Sequence, residues 1–275
     1  MRILHTMATL GLALAALTAC DNVDENERFS GPVDITPKKN VLIEDFTGQR
    51  CSNCPLAAEE LKSIQTAFGA EHVIAVAIHG GALGVSEADR PTIGLANEQG
   101  EQLYTHWGVT DQPIGLVDRT EGLQSFTNWF GLAVKRLIME PKAELTLQQP
   151  DYDPATRTLN LQVAATSREN LEARLQLWLT ESNLVRLQTM PAEWGGGNNK
   201  EYVHNHVFRT AVNDLMGDEL PLQAGQPHTL GYTCTLNEGW LPENMAVLAI
   251  LYNEDEGVIQ VAEQPILTTT TNQHP

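Results

Sequence analysis

Cys51 and Cys54 stand three positions apart in the stretch "FTGQRCSNCPLAAEELKSIQ", where a β-like run gives way to a helix-like one. Two thiols at this spacing can open and close a disulfide, clip a metal, or staple a loop. Exchange needs a thiolate, and the end of a strand feeding the first turn of a helix offers Cys51 free amides and the positive end of the helix dipole. Arg50, immediately before, would favour that charge further if its side chain turned inward. Cys54, one turn into the helix, would resolve the mixed disulfide. The exchange reading requires Cys51 to be reachable, and burial of that sulfur would count against it. A metal would need two more ligands. His79 is one candidate, though it reads first as a hydrogen-bonded loop histidine and only second as a group for substrate contact or proton transfer, and no metal or other cofactor is expected.

The elements that would position these residues follow from periodicity. "NVLIEDF" has β character, and Ala57, Leu61, Ile64 and Phe68 then recur at helical spacing until Gly69. "HVIAVAIH" is a β-branched run suited to a strand buried on both faces, parallel to the first, so that His79 emerges near the cysteines. A second helix is expected around Leu95, Leu103, Tyr104 and Trp107, then a turn through Pro113 into a short strand. A last helix in "SFTNWFGLAVKRLI" would build its apolar face from Phe126, Phe130, Ala133 and Leu137. Alternation of this kind predicts one α/β sheet domain over 40–140. After Pro141 the period becomes two, in about seven short runs such as "TLNLQVAA" and "ARLQLWLT", which predicts an immunoglobulin-like antiparallel β-sandwich over 141–268. "YVHNHVFRTAV" reads as one of its strands, placing His204 and His206 on one face at the surface or at a domain interface. Cys234 reads as an inert thiol, "WGGGNN" as a loop, and 269–275 as a polar tail.

The chain has 275 residues, 42% of them hydrophobic, enough for substantial cores. Its 35 acidic and 17 basic residues leave a net charge of -18, which argues against nucleic acid or anionic lipid as a general partner. Residues 1–19 read as a secretory signal, their apolar stretch too short to span a bilayer with margin. Residues 20–39, polar and acidic, read as a disordered tether. Export implies an oxidising compartment, in which the close cysteines can rest as a disulfide.

Four resemblances sharpen these expectations. "LTAC" resembles the lipobox of bacterial lipoproteins, which implies cleavage before Cys20 and membrane attachment through lipid on that residue. Asp21, Asp24, Glu25 and Glu27 resemble the acidic signals that route some Gram-negative lipoproteins to the cell surface, though a plain linker has the same composition. The string "DFTGQRCSNC" resembles the thioredoxin-like superfamily over about Asn40 to Ile138. That resemblance implies a buried Asp45 that moves a proton to or from Cys54, and a cis-proline at Pro113, preceded by Gln112, facing the cysteines. Arg50 and the Ser52–Asn53 pair stand where most thioredoxins carry Trp and Gly-Pro, which leaves potential and substrates open. Lipobox, "FTGQRCSNCP", "QPIGLVDR" and "VHNHVFR" together resemble the outer-membrane lipoproteins related to outer membrane protein 28. The resulting expectation is a lipid-anchored outer-membrane protein that exchanges thiols and disulfides with exported proteins. The rival is a binding or adhesion lipoprotein whose cysteine pair is a staple or a remnant.

Overall fold

The computed structural model describes residues 35–268; the expected signal, Cys20, most of the tether and the polar tail lie outside the described residues. The first strand among the described residues is the run of β character read from the sequence: β1 (Val41–Thr47), all seven residues buried. It leads through the cysteine loop into α1 (Cys54–Phe68), started by Pro55, which lacks the amide an initial turn leaves unused, and ended at Gly69 with φ 92. β2 (Val73–His79) returns parallel to β1, with Thr47 opposite His79. α2 (Glu98–Trp107) is capped by the Asn97 side chain accepting from the Gly100 amide. β3 (Ile114–Val117) lies antiparallel to β1, followed by a short β4 (Thr120–Gln124) and α3 (Trp129–Leu137).

The face of α3 differs from expectation. Trp129 and Leu132 are buried with Ala133 and Leu137, whereas Phe126 and Phe130 are only partly buried. The chain enters through a turn of 3-10 helix at Phe126–Asn128, which rotates the buried stripe. The Trp129 ring lies against Gly115, where an added Cβ would come within 2.5 Å of it.

The remaining strands are β5 (Ala143–Leu147), β6 (Asp151–Asp153), β7 (Thr158–Ser167), β8 (Leu171–Glu181), β9 (Leu184–Thr189), β10 (Asn198–His204), β11 (Val207–Ala211), β12 (Asp218–Leu222), β13 (Pro227–Thr235), β14 (Met245–Asn253) and β15 (Gly257–Pro265). Strands β5, β6, β7 and β13 form a four-stranded sheet. Nine strands form the larger sheet, ordered β15-β14-β8-β11-β2-β1-β3-β4, with β12 beside β8. The coarse class is thus α+β with mixed sheets. The larger sheet also runs through the expected boundary near Pro141, because β11 pairs parallel with β2 at Val207 and Ala77.

Register assigns the layers. Val207 pairs with Ala77 on one side and Glu181 on the other, so Ala75, Ala77 and His79 share a face with Leu175, Leu177 and Leu179. On that face α1 and α3 cover the β1–β2 end, and the four-stranded sheet covers the β8–β14 end. The opposite face, with Phe46, Ile78, Trp178 and Phe208, is covered in part by Leu103 and Tyr104 of α2. Each fully buried Leu, Ile or Phe contributes roughly 1.5–3 kcal/mol.

Two buried charge clusters bind the strands of 40–124 to those after Pro141. Asp118 accepts from Lys39 at 2.7 Å, from Arg136 at 2.8 Å and from the Leu42 amide at 2.9 Å, while Lys39 also donates to the Val258 carbonyl. Lys39 is therefore part of the fold, although the sequence places it in the tether. Arg119 forks onto Glu44 at 2.8 and 2.9 Å, donates to Gln176, and lies among Trp107, Trp178 and Tyr252.

"YVHNHVFRTAV" is not one strand. His206 has φ +55, which breaks the extended run, so β10 ends at His204 and β11 starts at Val207. β10 pairs only with β9, as a two-stranded hairpin separate from both sheets, while β11 enters the larger one.

Candidate functional site

The end of β1 and the start of α1 bring Cys51 and Cys54 together as a disulfide. Both sulfur-bearing residues are buried, Cys51 at 2% exposure and Cys54 at 3%. Burial of Cys51 runs against the accessibility that exchange at this sulfur requires, and its cause is the β9–β10 hairpin. Gln188 donates to the Cys51 carbonyl at 2.8 Å and lies within 3.3 Å of the Gly48 carbonyl. The Thr189 amide donates to the Gln49 carbonyl at 2.8 Å, and the Gln49 side chain donates back to Leu187. On the other side the Arg50 amide donates to the Leu83 carbonyl at 2.9 Å, and Gly48 sits so close to Leu83 that no side chain fits there.

Asp45 is 3% exposed, and its Oδ1 has no hydrogen-bond partner among the described residues. Desolvation pushes its carboxyl up to about 8, so it is largely protonated at neutral pH. Register puts Asp45 and Thr47 beside Ala77 and His79 on the face that α1 covers. His79 is 4% exposed with Nδ1 unpartnered, and its ring meets His204 edge-on at 5.2 Å. Burial, with His204 and Arg209 nearby, drives the His79 imidazole well below its ordinary value. His204 is lowered to about 4, again chiefly by desolvation, and its Nε2 is unpartnered. Both rings are therefore neutral above about pH 6.5.

Asp45, Cys54, His79, His204 and His206 line one cavity of about 390 Å³ between α1 and the hairpin. His204 and His206 belong to this site and not to an open surface. The signal that could have placed His204 there is long-range, since only the packing of β10 over α1 brings it in. Gln188 and Tyr202, also in the lining, were absent from the sequence-level site for the same reason.

The other expected residues lie around the rim or apart from it. Arg50, Ser52 and Asn53 are exposed, so the Arg50 side chain does not turn inward towards Cys51. The Gln112–Pro113 peptide is cis. Gln112 donates to the Thr47 carbonyl at 2.7 Å, to the Gly80 carbonyl at 2.9 Å, and to the Tyr104 hydroxyl, which itself donates to Thr47. These bonds tie α2 and the Pro113 loop to the end of β1, giving Gln112 a positioning contact behind the cysteine loop. Cys234 is half-buried and unpaired, its thiol pushed up to about 11 by burial, so it stays protonated. No group of three or more His, Cys, Asp or Glu side chains among the described residues is arranged to hold a metal ion.

The family described as "Outer membrane protein Omp28" matches residues 100–270, more than half of the chain. The chain belongs to the Omp28 family. Omp28-family membership places it at the outer membrane. No helix among the described residues is long and apolar enough to cross a membrane. The Omp28 match begins after the cysteine loop, so it carries no information on Cys51 and Cys54. HBP35 of Porphyromonas gingivalis has a similar fold, with a TM-score of 0.64 at 19% identity, covering 88% of this chain and 82% of that one. A domain of the outer membrane lipoprotein Omp28 from Porphyromonas gingivalis overlaps 46% of this chain and 95% of its own length at 20% identity, with a TM-score of 0.33. No curated protein matches the sequence significantly.

Proposed function

We propose that this outer-membrane protein is a lipoprotein held by lipid on Cys20, in which a thioredoxin-like unit over 40–140 carries a thiol–disulfide exchange centre and an immunoglobulin-like unit over 141–268 frames it. Asp45 is the observation that carries this reading. A carboxyl that is buried, unpartnered and protonated near neutrality costs the fold stability, and a disulfide that merely staples a loop has no use for it. Sharing a cavity with Cys54, it can hand a proton to the Cys54 thiolate released on reduction and take it back on oxidation. Cys51 precedes a helix whose first turn has neither a side-chain cap nor an acidic residue, an environment that favours its thiolate.

The rival reading, a binding lipoprotein with a stapled loop, has one observation in its favour, the burial of Cys51 under the hairpin. Equilibration of the native protein against thiol redox buffers separates the two. The exchange reading expects a midpoint within about −120 to −270 mV, the range of known exchange proteins. A disulfide that resists reduction until the protein is denatured would refute it.

A further inference from the structure

Hydrogen bonds, not a core, hold the β9–β10 hairpin over the cysteines. Among the described residues, none from Val185 to Val203 belongs to a hydrophobic cluster; only Leu184, at the root, packs with Leu95 and Val207. Beneath β10 lies the cavity of about 390 Å³, so Tyr202 and His204 border a space shared with α1 and not a packed interior. Val185 and Val203, paired across the two strands, are 44% and 46% exposed on the outer face. What fastens the hairpin is a short set of bonds to the cysteine loop: Gln188 to the Cys51 and Gly48 carbonyls, the Thr189 amide to the Gln49 carbonyl, and the Gln49 side chain to the Leu187 carbonyl. The His204 ring adds its edge contact with His79. Segments with little apolar burial are the ones that open locally while the rest of a protein stays folded.

The roots of the hairpin have the build of a hinge. Asn183 has φ +59 and His206 φ +55, so the chain takes a left-handed conformation at both ends, in residues that are not glycine. The two ends lie side by side: the Asn183 amide donates to Asn205 Oδ1 at 3.1 Å, and the His206 amide to Ser182 Oγ at 3.0 Å. Each root is also fixed to the body, Ser182 through its amide to the Asn244 carbonyl and His206 through its carbonyl to the Ala77 amide, both at 2.8 Å. Fixed roots and a lightly seated outer part let the hairpin swing as one piece, since a few residues at an element's end can absorb the change in backbone angle.

We propose that the β9–β10 hairpin is an autoinhibitory strap: closed, it covers Cys51 by occupying the carbonyls of Gly48, Gln49 and Cys51, and exchange at Cys51 proceeds only after it swings away. The inference rests on the exchange reading above and adds its regulation. A buried first cysteine is then the resting state of a working centre, and the rate of exchange is set by how often the strap lifts. With the strap lifted, one thiolate of a dithiol attacks Cys51 Sγ, the Cys51–Cys54 bond breaks, and the electron pair leaves on Cys54 Sγ, which takes a proton. The second thiolate of the same dithiol attacks its partner sulfur in the mixed disulfide and releases Cys51 as the thiolate. The dithiol is oxidised to its disulfide and the protein disulfide is reduced, and the reverse sequence oxidises the protein.

The test uses the full mature protein carrying Cys234→Ser, with reduced and oxidised dithiothreitol as probes and the thiols of Cys51 and Cys54 counted by mass spectrometry after alkylation. Replacing Val185–Val203 by Asn-Gly, a two-residue turn between the paired Leu184 and His204, removes the strap and keeps its roots. A gate leaves the equilibrium it guards unchanged, so reduction and reoxidation should both speed up by the same factor, about a hundredfold or more. Gln188→Ala keeps the hairpin, drops its side-chain bonds to the cysteine loop, and should speed both directions about tenfold; it decides the matter where the shortened chain does not fold. An unchanged rate, or a rate that rises in one direction only, overturns the proposal. In the unaltered hairpin, reduction should depend only weakly on urea below the unfolding transition, and a dependence as steep as that of global unfolding overturns it as well. A pair that cycles at a midpoint in the exchange range, at one rate with and without the strap, removes this inference and leaves the exchange reading standing. A pair that stays oxidised in the native state of every one of these proteins removes both.

Discussion

Replacing Asp45 by Asn in the oxidised protein should stabilise it, by an amount that grows with pH. The carboxyl has an ordinary value of 3.8 and is pushed up to about 8 in the fold by desolvation alone. Between those values the folded state binds a proton that the unfolded state has released, so stability falls as pH rises, by about 1.4 kcal/mol per pH unit. Below pH 3.8 both states are protonated and the penalty vanishes; above about 8 both are ionised and it is constant. From 3.8 to neutrality the penalty reaches about 4 kcal/mol, a ceiling that water in the adjoining cavity lowers. An amide removes the ionisation and leaves the shape. The assay is urea unfolding of both proteins from pH 5 to 9, read as a difference. The difference is needed because His79 and His204 act in the opposite sense. Their lowered values make stability fall as pH drops below about 6.5, equally in both proteins. The expected result is a stability difference that widens between pH 5 and 8 and then levels. A difference that is zero, or flat across that range, would show that Asp45 ionises at its ordinary value and would remove the physical basis for its role as proton store.

Two further outcomes follow from other parts of the structure. Arg119→Ala should destabilise the protein by about 3–5 kcal/mol in chemical denaturation, because it strands Glu44, whose side chain is fully buried; a loss under 1 kcal/mol would mean that water enters and solvates Glu44. Cys20→Ser should move the protein from the outer-membrane fraction to the soluble periplasmic fraction, since a chain of net charge -18 has little other attraction to anionic lipid, and retention in the membrane would refute the lipid anchor.

The sequence was most informative where structure is local. Val41–Thr47, Cys54–Phe68 and Val73–His79 carry their periods and end signals within a dozen residues, and β1, α1 and β2 form where those signals lie. Side-chain periodicity failed at α3, because a 3-10 turn ahead of the helix shifts the phase and only the space beside Gly115 decides that Trp129 is the buried ring. It failed again at His206, where a single residue with positive φ divides an alternating run between a hairpin and a sheet, and nothing in "VHNHVF" demands that conformation. The position of Asp45 came from a resemblance, whereas its lack of a partner is a property of the packed interior. Burial of Cys51 was illegible for a related reason. Gln188 is 137 residues away along the chain, and a polar residue in an alternating strand carries no mark of what it will cover.

The pairing of β11 with β2 has a consequence for how this protein can be divided. A cut near Pro141 would leave each fragment with a naked strand edge, β2 on one and β11 on the other, and would strip the Asp118 and Glu44 ion clusters of their hydrogen bonds to the Val258 carbonyl and to Gln176. Exposed edges recruit other chains. The two halves are therefore not interchangeable modules, and a gene rearrangement that excised either one would yield a sticky product before it yielded a useful one. Where chains of this architecture diversify, change should come by remodelling the hairpin and loops on the shared sheet, with both halves inherited together.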